Sequence, residues 1–284
     1  MVCGCARTHA HPPVATHAVR DGLGRVVHVP FDPARLISLA PSSTEILFAI
    51  GAGEKVVAVD GYSDYPPEVR ARQRIGSDLE PSLERIVALK PEIVFTATSA
   101  NSEATVNALE RLGIAVFVSR SGSLAEIFTD IAGIGDASNR EREADALSQK
   151  MRAELDLIGA RARTRPPVSA VVVVWPEPLT VAGAGSHVHE LLQLAGGTNL
   201  AADSPQPFPT YSTERLLKRA PEVLIIGTHA QAAPPLATFE RLTSIPAVQN
   251  HRVHLIDGDL LFRPGPRIIE GARQLEHLLH PELK

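Results

Sequence analysis

A chain of 284 residues, 44% of them hydrophobic and 21% charged, can bury a sizeable core and exceeds the commonest size of one domain, so two lobes are expected. A formal charge of -4 with no basic stripe argues against nucleic acid or an anionic membrane surface as the main partner. No run of 18 apolar residues occurs, which excludes a bilayer-spanning helix.

The two cysteines, Cys3 and Cys5, lie too close together for a disulfide to close a useful loop. Residues 1–20 read as a flexible tether or leader. Small residues beside a cysteine at the head of a tether resemble the end of a bacterial lipoprotein signal, and Val2-Cys3-Gly4-Cys5 would make Cys5 the lipidated residue. The alternative is two incidental thiols. Next, Asp21-Gly22-Leu23-Gly24-Arg25 is a turn flanked by Val26, Val27 and Val29, which predicts a short hairpin. Arg35–Leu39 reads as a strand closed by Pro41, with Ser42, Ser43 or Thr44 capping a helix over 45–50. Strands follow at 56–59, 92–96 and 115–118, with helices ending near Leu89 and Leu112. That alternation predicts a parallel sheet covered by helices.

Residues 139–163 break the rhythm. Asn139 offers a cap, and Leu147, Met151, Leu155, Ile158 and Ala162 form one apolar stripe on one long helix. At about 1.5 Å per residue it would span roughly 37 Å, the width of a small domain. Strands at 171–174, 223–226 and 253–256 and helices at 187–194 and 266–279 then resume the α/β order. The expected organisation is an N-terminal lobe over 21–138, a linking helix over 139–165 and a C-terminal lobe over 166–284. Both lobes are of the α/β class, with mostly parallel sheets.

The lobes carry an internal echo. Ser82-Leu83-Glu84-Arg85 with Pro91-Glu92 matches Ser212-Thr213-Glu214-Arg215 with Pro221-Glu222 at a constant offset of 130 residues. Each copy sets a capping serine before Glu-Arg in the first turn of a helix, then a proline-led strand. Part of this match is ordinary cap chemistry.

Three segments carry a resemblance: Arg35 to Glu45 (RLISLAPSSTE), Tyr62 to Pro67 (YSDYPP) and Ser82 to Pro91 (SLERIVALKP). To these the C-terminal half adds Pro178 to Gly183, Leu194 to Asn199 and Arg263-Pro264-Gly265-Pro266-Arg267. Over about 35–280 the chain resembles the periplasmic cobalamin-binding proteins of ABC importers, within the helical-hinge group that also binds haem and ferric siderophores. The resemblance implies a class III binding protein, outside the cytoplasm and with no cofactor and no catalytic residues. It would work as a monomer that hands its solute to a permease dimer with ATPase subunits, and would touch the membrane only through a lipid anchor. It assigns permease docking to Glu84 and Glu214, and ligand contacts to loops at the strand ends: Ser42, Ser43, Tyr62, Asp78, Trp175, Phe208, Asp259 and Arg263. Two positions depart from the pattern. Asp78 stands where cobalamin binders carry a cleft tryptophan, and Ser77 where haem binders often carry a tyrosine. The implied ligand is a corrinoid, cobalamin or a relative such as cobinamide, with ferric siderophore or haem as the alternative.

Three other readings lack support in the residues. Gly51-Ala52-Gly53 and Gly183-Ala184-Gly185 begin a dinucleotide fingerprint, but Val56 and Val188 replace its third glycine. His187 with His189, and His277 with His280, offer no paired ligands beside a carboxylate. No Gly-x-Ser-x-Gly frame surrounds Ser186.

Overall fold

The computed structural model describes residues 15–76, 80–100, 103–120, 122–228 and 236–283. It opens on a hairpin, β1 (Thr16–Arg20) and β2 (Val26–Pro30), paired antiparallel. The tether expected through residue 20 is therefore corrected at its end. Val19, Val27 and Val29 are buried, so this segment has an apolar face to hide and pairs rather than hangs free. The Asp21 carboxylate accepts from the backbone of Leu23 and Arg25 and closes the turn.

The first lobe follows in alternating order: β3 (Leu36–Ser38), α1 (Pro41–Ala49), β4 (Val56–Val59), β5 (Gln73–Arg74), α2 (Leu83–Ala88), β6 (Ile93–Ala97), α3 (Glu103–Arg111), β7 (Ala115–Ser119) and α4 (Leu124–Ser138). Its five strands run parallel in the order β5-β4-β3-β6-β7. The hairpin turn docks on the outer strand, where Gly22 N donates to Val118 O and Val118 N to Asp21. An otherwise open sheet edge is covered in this way. Two expectations are corrected here. Helix α1 begins at Pro41, whose fixed φ suits the first helical position, so Ser42, Ser43 and Thr44 lie inside the helix rather than capping it. Asn139, expected to start the long helix, instead ends α4 in a left-handed conformation (φ 58°, ψ 52°).

The long helix is α5 (Glu141–Ala162), 22 residues and roughly 33 Å long. The second lobe comprises β8 (Val168–Pro176), β9 (Leu179–Val181), α6 (His187–Leu194), β10 (Gly197–Asn199), α7 (Thr213–Arg219), β11 (Val223–Thr228), α8 (Leu236–Glu240), α9 (Pro246–Gln249), β12 (Val253–Asp257), α10 (Asp259–Phe262) and α11 (Ile268–Leu279). Strands β10-β8-β11-β12 are parallel, and β9 folds back antiparallel on β8.

The central strands are apolar on both faces, as sheets covered on both sides require. Ile93 and Phe95 face one core cluster while Val94 faces another, and Ala170 and Val172 alternate likewise with Val171 and Val173. The largest cluster does not stop at a lobe boundary. It runs from the first sheet under α4 and α5 to α6, α11 and the second sheet. Helix α5 is fastened to both sides: the Arg152 guanidinium lies 3.8 Å from the Phe128 ring on α4, and Arg161 and Arg273 pair with Glu276 and Glu154 across the contact with α11.

The echo between the lobes extends into the hydrogen bonding. Glu92 accepts from the backbone of Ala34 and Arg35 at the head of β3, and Glu222 accepts from Ser169 at the head of β8. In both lobes the glutamate before an inner strand pins the start of its neighbour. Burial is slight at Glu222, and its bonds to Ser169 hold its carboxyl below the ordinary range.

Candidate ligand cleft

Parallel strands point their C-terminal ends one way, and open α/β sheets bind there. In this chain those ends face each other across the lobes. Arg263, which follows β12 and α10, donates 2.6 Å to Asp64 and lies 3.6 Å from Glu45, both beyond the strand ends of the first lobe. Its other nitrogen meets Asp259 at 2.9 Å. Beside it Arg267 donates from Nε and Nη2 to the two oxygens of Glu45, at 3.0 and 2.6 Å, in a bidentate pair. Burial pushes the Glu45 carboxyl above its ordinary range, and the two arginines oppose that push. A buried carboxylate without such partners would be strongly disfavoured. Glu45, Asp64 and Arg267 were not singled out as site residues from the sequence.

A buried polar chain positions the first lobe's wall. Asp60 accepts from Tyr62 N (2.6 Å), Ser63 N (3.0 Å) and Ser63 Oγ (2.5 Å). Ser63 Oγ meets Thr44 Oγ1 at 2.7 Å, and Thr44 reaches Ser38 at the end of β3. The loop is thus tied down from within while its aromatic side chains stay out, Tyr62 at 48% exposure and Tyr65 at 41%. The Arg267 guanidinium lies 4.2 Å from the Tyr65 ring centroid.

The opposite wall comes from β8, β9 and the segment beyond. Trp175, at the end of β8, is 42% exposed and donates Nε1–H to Glu177 O at 3.0 Å. Phe208, 43% exposed, sits in a stretch laid along β9, where Val181 N donates to Pro209 O and Gly183 N to Pro207 O. Large aromatics left this open on facing strand ends are candidate contacts for a flat apolar solute.

Of the remaining predicted residues, Ser42 is close to the charged cluster of Glu45, Arg263 and Arg267, with its carbonyl near Gly265, but is itself largely buried. Ser43 is corrected: it is fully enclosed within α1 and lines no cleft. Asp78 and Cys5 lie outside the described residues. Glu84 and Glu214 are both exposed in the first turns of α2 and α7, capped by Ser82 and Ser212. Both helix starts are tied to sheet residues: Ser82 N donates to Ile75 O just past β5, and Tyr211 N donates to Leu179 O at the start of β9, beside the end of β8. Three of the four histidines weighed as metal ligands have structural partners. His187 is buried against Leu261 O, His189 bonds Asn199, and His280 bonds Gly196 O. Among the described residues no group of three or more His, Cys, Asp or Glu is placed to hold a metal ion.

A family model for periplasmic binding proteins matches residues 36–260. The chain belongs to that family. This periplasmic binding protein is 32% identical over 272 residues to an uncharacterized ABC transporter substrate-binding lipoprotein of Bacillus subtilis, covering 93% of this chain and 85% of that one. Its fold matches the periplasmic vitamin B12 binding protein of Vibrio cholerae with a TM-score of 0.78 at 30% identity, over 90% of this chain and 100% of the other. A periplasmic heme-binding protein from Roseiflexus matches with a TM-score of 0.78 at 25% identity, over 88% and 99% of the two chains. The architecture is the class III form, and this is a solute-binding protein of the ABC-importer kind. The Vibrio and Roseiflexus proteins are named for the solutes they bind.

Proposed function

We propose that this periplasmic binding protein captures a corrinoid of the cobalamin type between its lobes and delivers it to an ABC permease dimer with its ATPase subunits. The observation that carries this reading is the placement of Tyr62, Tyr65, Trp175 and Phe208. In a chain with only 4% aromatic residues, these four stand exposed on the facing strand ends of two lobes. A corrin ring is broad and apolar on its faces and rimmed by amide groups. Aromatic walls with a polar, charged floor suit that combination. The B12-binding relative of Vibrio cholerae supports the choice, and the heme-binding relative is the second reading. Residues 21–138 and 166–284 are the two ligand-facing lobes in this proposal, with Tyr62, Trp175, Phe208, Asp259 and Arg263 as contacts. Glu84 and Glu214 are its docking carboxylates, and the protein acts as a monomer in the periplasm, with Cys5 as lipid anchor. Titration with cyanocobalamin, cobinamide and hemin, followed by visible absorbance and calorimetry, tests it. Micromolar or tighter binding of a corrinoid, about 8 kcal/mol or more, is expected. Tight hemin or ferric-siderophore binding without corrinoid binding would move the assignment to that ligand.

A further inference from the structure

Five charged side chains meet at the floor of the cleft, and the floor holds more acid than base. Glu45, Asp64 and Asp259 surround the guanidinium groups of Arg263 and Arg267, leaving one negative charge in excess. Neither arginine presents an empty fork. Arg263 uses one terminal nitrogen on Asp64 and Glu45 and the other on Asp259 and the Tyr62 carbonyl. Arg267 spends Nε and Nη2 on Glu45, and its face is covered by the Tyr65 ring. Two adjacent arginines in a solute cleft would otherwise make a site for carboxylates.

We propose that Glu45 sets the charge selectivity of this cleft: reaching from the first lobe to pair with Arg267 and to lie beside Arg263, it completes the acid excess that makes the floor select uncharged or cationic solutes with amide donors over solutes with ionised carboxylates. This inference rests on the cleft being the solute site proposed above. An incoming carboxylate meets surplus acid and guanidinium groups that are already paired. An amide finds carboxylate oxygens ready to accept its N–H. The acid excess is also felt within the cluster. Burial first, with Asp257 and Asp64 adding to it, pushes the Asp259 carboxyl above its ordinary range against the pull of Arg263 and Arg267. Glu45 acts through the arginines, since it is buried and paired rather than open to solute. It is a positioning residue, and its role is selectivity between solutes of one shape.

The test compares cobinamide with cobyrinic acid, which carries carboxylates on the same ring where cobinamide carries amides. The wild-type protein is expected to prefer cobinamide by about a hundredfold or more, and Glu45→Gln to shrink that ratio about tenfold. Because Glu45→Gln disturbs a buried pair, Asp64→Asn serves as the second variant: that carboxylate is 52% exposed and meets the same Arg263. It is expected to shift the ratio the same way. A purely structural role would weaken both ligands together and leave the ratio where it was. Equal or tighter wild-type binding of the acid, or a ratio unchanged in both variants, overturns the inference. If the wild-type protein binds neither corrin, the proposed function fails, and the same contrast is read with hemin and its dimethyl ester. Preference for the ester, lost in the variants, then upholds the inference; preference for the free acid overturns it.

Discussion

Glu190, on α6 of the second lobe, accepts a 2.7 Å hydrogen bond from the backbone N–H of Leu124, the first residue of α4 in the first lobe. The carboxylate occupies the position where a helix start leaves donors unpaired, next to the capping box of Ser123 and Glu126. It satisfies one of those donors and meets the positive end of the helix dipole. Glu190→Ala is expected to cost about 1 kcal/mol in chemical denaturation and to speed amide exchange in the first turn of α4. Unchanged exchange there would show that the contact does not hold the lobes.

The two exposed glutamates give a prediction about transport. Glu84→Ala with Glu214→Ala is expected to leave solute affinity in place while abolishing uptake with the cognate permease. Each single variant should weaken docking modestly and make it more sensitive to salt, as rim charge pairs do. Normal uptake by the double variant would remove the docking role.

Helix α7 is fastened by a cluster of side-chain pairs. Asp203 accepts from Tyr211 at 2.6 Å and from Arg215 at 2.7 Å, and also pairs with Arg219, while Arg215 lies 4.1 Å from the Tyr211 ring centroid. Asp203→Asn is expected to lower the melting temperature by a few degrees, equivalent to about 1 kcal/mol. It should also reduce uptake more than solute affinity, because α7 carries Glu214. Equal losses in both would mean that Asp203 serves only folding.

His187 gives a pH dependence. It is buried with its ring nitrogen 2.7 Å from Leu261 O, and burial depresses its pKa below the ordinary 6.5 despite that bond. In the unfolded chain the ring gains a proton as pH falls through about 6.5, whereas the folded protein keeps it neutral. Protonation therefore favours the unfolded state. The stability contributed by neutral His187 is complete above about 6.5 and is lost as pH falls toward its depressed value. His189 and His254, also depressed by burial, act in the same direction. Thermal melts from pH 7.5 to 5 are expected to show falling stability, with a shallower slope in His187→Gln. Identical slopes would rule out this histidine as a source.

The strands of both lobes were legible because strands covered on two faces read as short apolar runs. Ile93–Ala97 and Val223–Thr228 lie within a residue or two of their expected bounds. Helix α4 was not legible, and its glycines explain why. A side chain at Gly133 would strike Phe117 at 2.7 Å and one at Gly135 would strike Ala144 at 2.4 Å, so residues that look like helix breakers are demanded by close packing. Strand β10 was hidden for a related reason, since Gly196-Gly197 right after the 187–194 helix reads as a helix stop. In the cleft, aromatic residues at strand ends were visible as candidates, but the Glu45–Arg267 pair was not. Its members stand 222 residues apart, and no spacing rule connects them. The available signal was a lone acid leading the apolar run Ile46–Ile50, a charge that burial obliges to find a partner.

The core that passes without interruption beneath α4, α5, α6 and α11 has a kinetic consequence. Swinging the lobes far apart would expose that apolar surface to water, at a cost no solute contact offsets before it forms. The walls are therefore expected to be set largely before the solute arrives. Capture is then expected to proceed at the rate of encounter and orientation, without a slow closing step. Solutes that fit well and solutes that fit badly enter at similar speeds and differ in how long they stay. Residence time, more than speed of entry, decides which of them is still aboard when a permease is met.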